Sequence, residues 1–285
     1  MRDGMAGPVP DRTIVITGAS DGIGAEAAHV LAHRGEHVVV VGRSPDKTEA
    51  VAKAIGAPFY TADFSRLDDV RDLASQLLAD HPRIDVLANN AGGLMGERQI
   101  TIDGYEKTFQ VNHLAPFLLT NRLMQNLCAS TAKVINTASI GARLFGQLDL
   151  DDLDYAHSYS ANKAYGDSKL ANILFTKELH RRHHADGIST AAFHPGNVST
   201  NFAAEGGFWA RLLYQSPLRH LFLISPEQGA RPLLWLADTT PGKDWTSGEY
   251  YEKNRIARTN RQAADPELAR DLWERSAAMV GLAAG

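Results

Sequence analysis

The sequence has 285 residues but only one cysteine, Cys128. A single cysteine cannot form an internal disulfide, a zinc site of several cysteines or a CxxC redox motif. We therefore expect an intracellular, cytoplasmic protein, and we predict no metal site. Residues 1–10 contain two prolines and no apolar core, so they predict a flexible tail rather than a signal peptide.

Long apolar runs and an excess of one charge are also missing. The richest apolar region, residues 208–224, is interrupted by charged residues and a proline, so no membrane span is predicted. The 29 basic and 33 acidic residues give a net charge of -4 without a long run of either sign, which argues against a nucleic-acid partner. The one basic cluster, residues 181–184, is interpreted as a solvated helix end.

The chain has the composition of an ordinary globular protein, with 44% hydrophobic and 22% charged residues. No linker rich in proline, glycine or serine and no internal repeat divides it, so a single domain over residues 11–285 is predicted. A small-molecule substrate is the expected partner, and association into a homo-oligomer is left open.

Short apolar runs alternate with segments of helical periodicity along the sequence. Strands are predicted at residues 13–17, 37–41, near 59, 84–88, 134–137 and 188–193. Helices are predicted at the segment containing Ile23, Ala27 and Leu31 and at residues 46–55, 67–79, 116–127, 165–180 and 226–237. This alternation predicts an α/β fold of the Rossmann type, a doubly wound parallel sheet with helices on both faces. Ligands of such sheets bind at the carboxyl ends of the strands.

A glycine-rich turn joins the first predicted strand to the first helix. Gly18, Gly22 and Gly24 permit a tight turn there, and the helix N-terminus offers unpaired N–H groups to a pyrophosphate. The spacing is GxxxGxG rather than the commoner GxGxxG, and the turn has no P-loop lysine. At this point the sequence resembles the short-chain dehydrogenase/reductase family, which has this glycine spacing and a similar length.

A tyrosine and a lysine lie four positions apart, at Tyr165 and Lys169, hence on one face of a predicted helix. Free tyrosine has a pKa of about 10, and a neighbouring ammonium group stabilises its phenolate. Such a tyrosine can exchange a proton with a carbonyl or alcohol oxygen while hydride moves. A tyrosine and a lysine at this spacing are common on helix surfaces, so the pair indicates a catalytic site only together with the other motifs.

The pair matches the YxxxK motif of the same family, and the resemblance implies roles for four residues. Tyr165 would be the general acid and base, Lys169 would also hydrogen-bond the nicotinamide ribose, Ser139 would hold the substrate oxygen, and Asn112 would support a water-linked proton relay. Tyr165 follows Ser139 by 26 positions, more than is usual in the family. An insertion at 145–155 fills the difference, as in members similar to retinol dehydrogenases. Ser158 and Ser168 are alternative serines, but neither follows a predicted strand.

Further matches extend the resemblance over roughly residues 11–255. NNAG at 89–92, the pair Asp63-Phe64 and the PGxVxT loop that begins at Pro195 all match family motifs that line the cofactor. The cofactor-binding residues implied by the resemblance, together with Arg43, are Gly18, Ser20, Asp21, Gly22, Ile23, Gly24, Arg43, Asp63, Phe64, Asn90, Ala91, Gly92, Tyr165, Lys169, Pro195, Gly196, Val198 and Thr200.

The end of the second strand bears on the choice of cofactor. Enzymes that prefer NAD usually place a carboxylate there for the ribose 2′-OH, whereas this chain has Arg43, whose guanidinium suits a phosphate. NADP(H) is therefore favoured over NAD(H). Asp21 in the glycine-rich turn weakens this preference, because related NADP enzymes can carry a basic residue in that turn.

The sequence thus predicts an NADP(H)-dependent oxidoreductase acting on a carbonyl or alcohol. The apolar segment at 200–225 matches the family's substrate lid and favours a lipophilic substrate, although it could equally pack on the core or on another subunit. Two alternatives are a redox sensor that binds dinucleotide without turnover and a nucleotide-sugar epimerase or dehydratase. The complete catalytic set argues against the first, and the glycine spacing with the short C-terminal region argues against the second.

Overall fold

The computed structural model describes residues 12–196 and 224–282. The predicted tail at 1–10, the two cofactor residues Val198 and Thr200, and all of the predicted lid except residues 224 and 225 lie outside these ranges. Within them, no helix has the length and apolar character that crossing a membrane requires.

The described residues form one eight-stranded sheet in the order β3-β2-β1-β4-β5-β6-β7-β8. Its strands are β1 Thr13–Thr17, β2 His37–Gly42, β3 Phe59–Thr61, β4 Val86–Asn89, β5 Lys133–Thr137, β6 Ser189–His194, β7 Glu249–Glu252 and β8 Arg255–Ile256. All neighbouring strands are parallel except β7 and β8. The strand order reverses between β1 and β4, which places a ligand crevice at the carboxyl ends of these two strands.

Ten α-helices occur in the part of the chain that the structure describes. They are α1 Gly22–His33, α2 Pro45–Ile55, α3 Leu67–Asp80, α4 Lys107–Phe109, α5 Ala115–Arg122, α6 Met124–Ala129, α7 Gly141–Leu144, α8 Ala161–His183, α9 Pro226–Asp238 and α10 Pro266–Met279. A π-helical turn, Gln110–Leu114, precedes α5, and a 3-10 turn, Gln262–Ala264, precedes α10.

Helices cover both faces of the sheet because the buried strands carry apolar residues on both sides. On β1, Ile14 and Ile16 face a core shared with α1 and α9, whereas Val15 faces a core shared with α3, α5, α8 and α10. All three side chains are fully buried. The predicted doubly wound parallel sheet is therefore confirmed.

The bounds of two helices differ from the sequence prediction. Residues 116–127 do not form one helix but two. Before them, Pro116 has no N–H to donate to the carbonyl oxygen of Asn112. Ala115 instead donates to Gln110 in the π-helical turn, and a break at Leu123 separates α5 from α6. Helix α8 begins at Ala161 rather than at 165, since the Ser160 side chain caps it by accepting from the backbone N–H of Lys163.

The C-terminal region contains elements that the sequence prediction missed, namely β7, β8 and α10. Helix α10 packs against α5 and α8, where the Trp273 ring centroid lies 5.0 Å from that of Phe117 and 5.7 Å from that of Phe175. The guanidinium of Arg182 lies 4.8 Å from the centre of the Trp273 ring and pairs with Glu178 and Glu274. The interpretation of residues 181–184 as a merely solvated helix end is wrong for Arg182.

Candidate active site

Most of the predicted site residues lie at one edge of the sheet. Gly18 follows β1, Asn90 follows β4, Ser139 follows β5 and Pro195 follows β6, each just beyond the last residue of its strand. Tyr165 and Lys169 reach the same edge from the first half of α8. The strands thus bring together residues that are far apart in the sequence.

The glycine-rich turn packs tightly against the residues after β4. Gly18 has φ +65°, and a Cβ on it would fall 2.7 Å from the Cα of Ala91. A Cβ on Gly24 would fall 2.4 Å from the carbonyl oxygen of Gly18. The Asn90 side chain donates to the carbonyl oxygen of Thr17 at 3.0 Å, which ties the two segments together. The turn is therefore a fixed cradle in front of helix α1.

The first turn of α1 presents the positive end of the helix dipole to this cradle. Asp21 caps the helix, and its carboxylate accepts from the backbone N–H of Gly22 at 2.7 Å. Lys47, at the start of α2, lies 3.7 Å from the Asp21 carboxylate. The sequence analysis did not identify Lys47, although a basic residue shortly after the second strand is a readable signal.

The end of β2 lies directly against the glycine-rich turn. Gly42 has no side chain to hold it away, and a Cβ there would fall 2.8 Å from the Cβ of Ser20. Arg43 follows at once and is exposed. Arg43 thus follows directly after a residue that packs against the glycine-rich turn.

The pair after β3 has a different environment from the other predicted cofactor residues. The Phe64 side chain is 6% exposed and belongs to the hydrophobic core. Asp63 accepts from both the backbone N–H and the hydroxyl of Ser65, at 2.9 Å and 2.7 Å. The Phe64 side chain therefore packs in the core beneath this edge of the sheet. Asp63 stabilises the turn at Ser65 through its two hydrogen bonds.

Lys169 is almost completely enclosed, with 1% of the residue exposed. Its ammonium nitrogen donates to the carbonyl oxygen of Thr137 at 3.1 Å and lies 5.6 Å from the centre of the Tyr165 ring. Burial lowers the pKa of Lys169 to about 8, because the charged form loses hydration. The lysine is positioned to act on the tyrosine from the interior of the protein.

Ser139 and Tyr165 both lie close to Gly141. A Cβ on Gly141 would fall 3.0 Å from the Cε1 of Tyr165 and 3.4 Å from the Oγ of Ser139. The Ser139 hydroxyl oxygen accepts from the backbone N–H of Gly141 at 3.1 Å. The long sequence separation of Ser139 and Tyr165 therefore does not keep them apart.

The residues between Ser139 and Tyr165 are anchored by a buried carboxylate that the sequence analysis missed. Asp167 is 1% exposed and accepts from the backbone N–H of Gln147 at 2.6 Å and from the Tyr155 hydroxyl at 3.2 Å. It also pairs with Lys163, one turn earlier on α8. The predicted insertion at 145–155 is thereby fastened to the helix that carries Tyr165.

The Asn112 side chain is fully buried and bonded to its neighbours rather than directed at open space. It accepts from the backbone N–H of Gly93 at 2.8 Å and donates to the Ser168 hydroxyl at 3.0 Å. Gly92 has φ +157°, and a Cβ on it would fall 2.6 Å from the Asn112 side-chain oxygen and 3.3 Å from the Lys169 nitrogen. Asn112, Gly92 and Lys169 thus form one contiguous group.

Asn172 is a further member of this group that the sequence analysis did not single out. Its side-chain amide donates to two backbone carbonyl oxygens, that of Asn112 at 3.0 Å and that of Thr137 at 3.2 Å. The first of these carbonyls is the one that Pro116 leaves without its helical donor. An asparagine on the buried face of a helix, three residues after Lys169, is the signal that could have identified it.

The segment after β6 begins inside the described range. Gly196 has φ +94°, and a Cβ on it would fall 2.5 Å from the Cδ1 of Ile224. Pro195 and Gly196 therefore lie at the carboxyl edge with the other site residues. Val198 and Thr200 belong to the part of the chain that is not described.

Comparisons with known proteins agree with this architecture. The family model described as short chain dehydrogenase matches residues 12–209. The protein named "Putative daunorubicin C-13 ketoreductase DnrU", from Streptomyces sp. (strain C5), is 43% identical, with 96% of this chain and 94% of the relative covered. Human retinol dehydrogenase 13 is 37% identical, with 97% of this chain and 86% of the relative covered.

A solved structure gives the same result for the fold. A protein from Mycobacterium paratuberculosis superposes with a TM-score of 0.75 at 32% identity, covering 95% of this chain and 94% of its own. The match extends along nearly the whole length of both chains.

Proposed function

This chain belongs to the short-chain dehydrogenase family, and we propose that it is an NADP(H)-dependent oxidoreductase of lipophilic carbonyl or alcohol substrates, with Tyr165 as the general acid and base. The family binds NAD(P), and its members act as oxidoreductases on CH–OH and C=O groups. The observation that carries the proposal is the arrangement of Ser139, Tyr165 and Lys169 around Gly141 and Gly92 at the carboxyl edge.

The residues present fit a dinucleotide. Gly18, Gly22 and Gly24 form a narrow cradle at the N-terminus of α1, where backbone N–H groups and the helix dipole would hold the pyrophosphate. A Cβ on Gly92 would fall 3.3 Å from the Lys169 nitrogen, so this glycine lets the backbone after β4 pack closely on the lysine that would bind the ribose. When bound, the nicotinamide supplies or accepts the hydride.

The Ser139 hydroxyl is oriented to act as a donor. Because the backbone N–H of Gly141 already donates to its oxygen, the hydroxyl hydrogen can be directed to a substrate oxygen. A substrate oxygen held in this way lies between Ser139 and the Tyr165 hydroxyl. During reduction Tyr165 gives its proton to that oxygen, and during oxidation it takes the proton back.

The Lys169 ammonium group supports this proton transfer in two ways. Its positive charge near the Tyr165 ring favours the deprotonated form of the phenol. One of its three N–H donors is bonded to Thr137, which leaves two for a ribose hydroxyl and for a water molecule. The Asn112 carbonyl oxygen, which accepts from Asn172, retains a second lone pair for such a water.

The preference for NADP(H) rests on charge at the end of β2. Arg43 follows the strand where an NAD-binding protein usually has a carboxylate, and Lys47 adds a second basic side chain in the first turn of α2. The Asp21 carboxylate, which weakened the assignment, is balanced by the Gly22 N–H and by Lys47 at 3.7 Å. Two basic groups next to the glycine-rich turn favour a 2′-phosphate.

The preference for a lipophilic substrate rests on the surroundings of Tyr165. Phe145 packs at Gly166, the residue next to Tyr165, where a Cβ would fall 2.7 Å from the Phe145 Cβ. Leu144 and Phe145 are nevertheless 60% and 46% exposed, so two large apolar side chains border the site. Two relatives are named for retinol and for daunorubicin. Burial of such side chains against a substrate is worth about 25 cal/mol per Å² of apolar surface.

The proposal is tested by steady-state kinetics on a graded panel of carbonyl compounds. The panel runs from small polar ketones to polyene aldehydes and polycyclic ketones, each assayed with NADPH and with NADH by the absorbance of the reduced cofactor. We expect kcat/KM to rise with the apolar surface of the substrate and to be higher with NADPH. A preference for small polar ketones would contradict the proposed substrate class, and a preference for NADH would contradict the proposed cofactor. Binding of cofactor without turnover of any compound would favour the redox sensor.

A further inference from the structure

Three side chains with metal-binding donor atoms meet at the edge of the sheet opposite the candidate active site. Cys128 lies near the end of α6, His183 is the last residue of α8, and Asp186 lies in the turn that follows. One donor atom from each lies within 4.8 Å of the other two. The His183 Nδ1 is 3.0 Å from the Asp186 carboxylate.

The topology separates this cluster from the proposed chemistry. The chain runs from Cys128 into the start of β5 at Lys133, and from Asp186 into the start of β6 at Ser189. These are the amino ends of two neighbouring parallel strands, whereas Tyr165 and Lys169 lie at the carboxyl ends. The proposed hydride transfer makes no use of the three residues.

The two turns that carry the cluster are held together by the backbone. Thr131 donates to the carbonyl oxygen of Cys128 at 3.0 Å, and Ser189 donates to that of Ala132 at 3.0 Å. Gly187 packs so closely that a Cβ there would fall 2.9 Å from the Cγ2 of Thr131. The three side chains therefore extend from a backbone held by these contacts, so the protein needs little rearrangement to coordinate an ion with them.

We propose that Cys128, His183 and Asp186 form a zinc-binding site. A thiolate, an imidazole and a carboxylate are the three ligand types that Zn²⁺ uses in proteins, and this mixture does not suit Mg²⁺ or Ca²⁺, which take oxygen ligands. The Asp186 side chain is 55% exposed and that of His183 is 25% exposed, so an ion can enter from solvent and keep a water as its fourth ligand. The site differs from the expectation, based on cysteine count, that the chain has no metal site.

Zinc binding here would release the proton of the Cys128 thiol, because the thiolate is the form of cysteine that ligates the metal.

Zinc alone is the probe for the test, titrated into untagged protein in competition with a chromogenic chelator. We expect one tight equivalent in the unmodified protein and a loss of affinity of about tenfold or more in Cys128→Ser, His183→Gln and Asp186→Asn. His184→Gln is the matched control, because His184 is the adjacent histidine but its Nδ1 lies 3.0 Å from the Ile188 carbonyl oxygen. Circular dichroism is used to check that each variant is folded.

Cobalt provides an independent readout of the thiolate. Co²⁺ bound to a thiolate absorbs in the near ultraviolet, and since Cys128 is the only cysteine, this band must disappear in Cys128→Ser. The absence of a tight equivalent would overturn the proposal. Equal affinity in all three ligand variants would also overturn it, because zinc would then be held by other surface groups.

Discussion

The ammonium nitrogen of Lys169 donates a hydrogen bond of 3.1 Å to the carbonyl oxygen of Thr137, the last residue of β5. This bond joins helix α8 to the carboxyl edge of the sheet and fixes the nitrogen from its buried side. Asn172 donates to the same carbonyl oxygen at 3.2 Å, one helical turn further along α8. Asn172, a residue outside the YxxxK motif, therefore binds the same carbonyl oxygen as the lysine.

Replacement of Asn172 by leucine tests this shared contact. The variant loses the donor to the Thr137 and Asn112 carbonyl oxygens, so the Lys169 nitrogen and the proposed water are less well placed. We expect kcat to fall by up to about 100-fold, the effect of a misplacement of about 1 Å, with a smaller change in KM. Steady-state kinetics across pH measures both constants and the pH profile.

The control for Asn172→Leu is Asn121→Leu, on helix α5. The Asn121 amide donates to the Phe117 carbonyl oxygen of its own helix at 2.8 Å, away from Lys169. This control should retain the wild-type kcat and pH profile. If Asn172→Leu lost stability but kept kcat and its pH profile, Asn172 would have a structural role only.

Replacement of Arg43 by aspartate tests the cofactor assignment. The change removes the guanidinium from the end of β2 and creates the carboxylate that favours NAD(H) there. Loss of hydrogen bonds to a charged phosphate costs about 1.5–3 kcal/mol, so we expect NADPH to bind about 10- to 100-fold more weakly relative to NADH. Fluorescence titration with both reduced cofactors measures the ratio.

Arg270→Asp is the matched control for the charge change, because Arg270 is exposed on α10. It should leave the ratio of the two affinities unchanged. An unaltered ratio in Arg43→Asp would show that this arginine does not read the 2′-phosphate.

His113 predicts a specific dependence of stability on pH. The residue is fully buried, its Nε2 lies 2.9 Å from the Ser276 hydroxyl, and burial lowers its pKa from 6.5 to about 4. Below pH 6.5 the unfolded chain therefore binds a proton that the folded chain does not, so stability decreases as the pH falls. The shift corresponds to about 3 kcal/mol of unfolding free energy lost between about pH 7 and pH 4.

Chemical denaturation of the wild type and of His113→Asn at several pH values isolates this contribution. We expect His113→Asn to be less stable at neutral pH and to lose less stability on acidification. His157→Gln serves as an exposed control, with 86% of the His157 side chain accessible, and should follow the wild type. Parallel curves for the wild type and His113→Asn would refute the assignment.

Local spacing was enough to predict the fold and much of the candidate site. The glycine turn, Tyr165 with Lys169, and the alternation of strands and helices are patterns over a few residues, and the sheet order then brings their ends together. Short elements were missed, because β7 has only four residues and its periodicity is not distinctive.

The remaining features depend on contacts between distant residues. The sequence contains Pro116, but it does not show that the freed Asn112 carbonyl oxygen would be taken up by Asn172. Nor does it show that buried Asp167 fastens the insertion to α8. Both are polar groups whose partners are defined only after the helices have packed, so no local pattern could identify them.

Replacement of Tyr165 by phenylalanine tests the central claim most directly, because it removes the hydroxyl and keeps the ring beside Gly141 and Lys169. The measurement is kcat on the best substrate of the panel, together with the dissociation constant of NADPH. Loss of the general acid and base should lower kcat by about 100- to 10,000-fold while NADPH binding stays close to that of the wild type. Turnover at the wild-type rate in this variant would contradict the account.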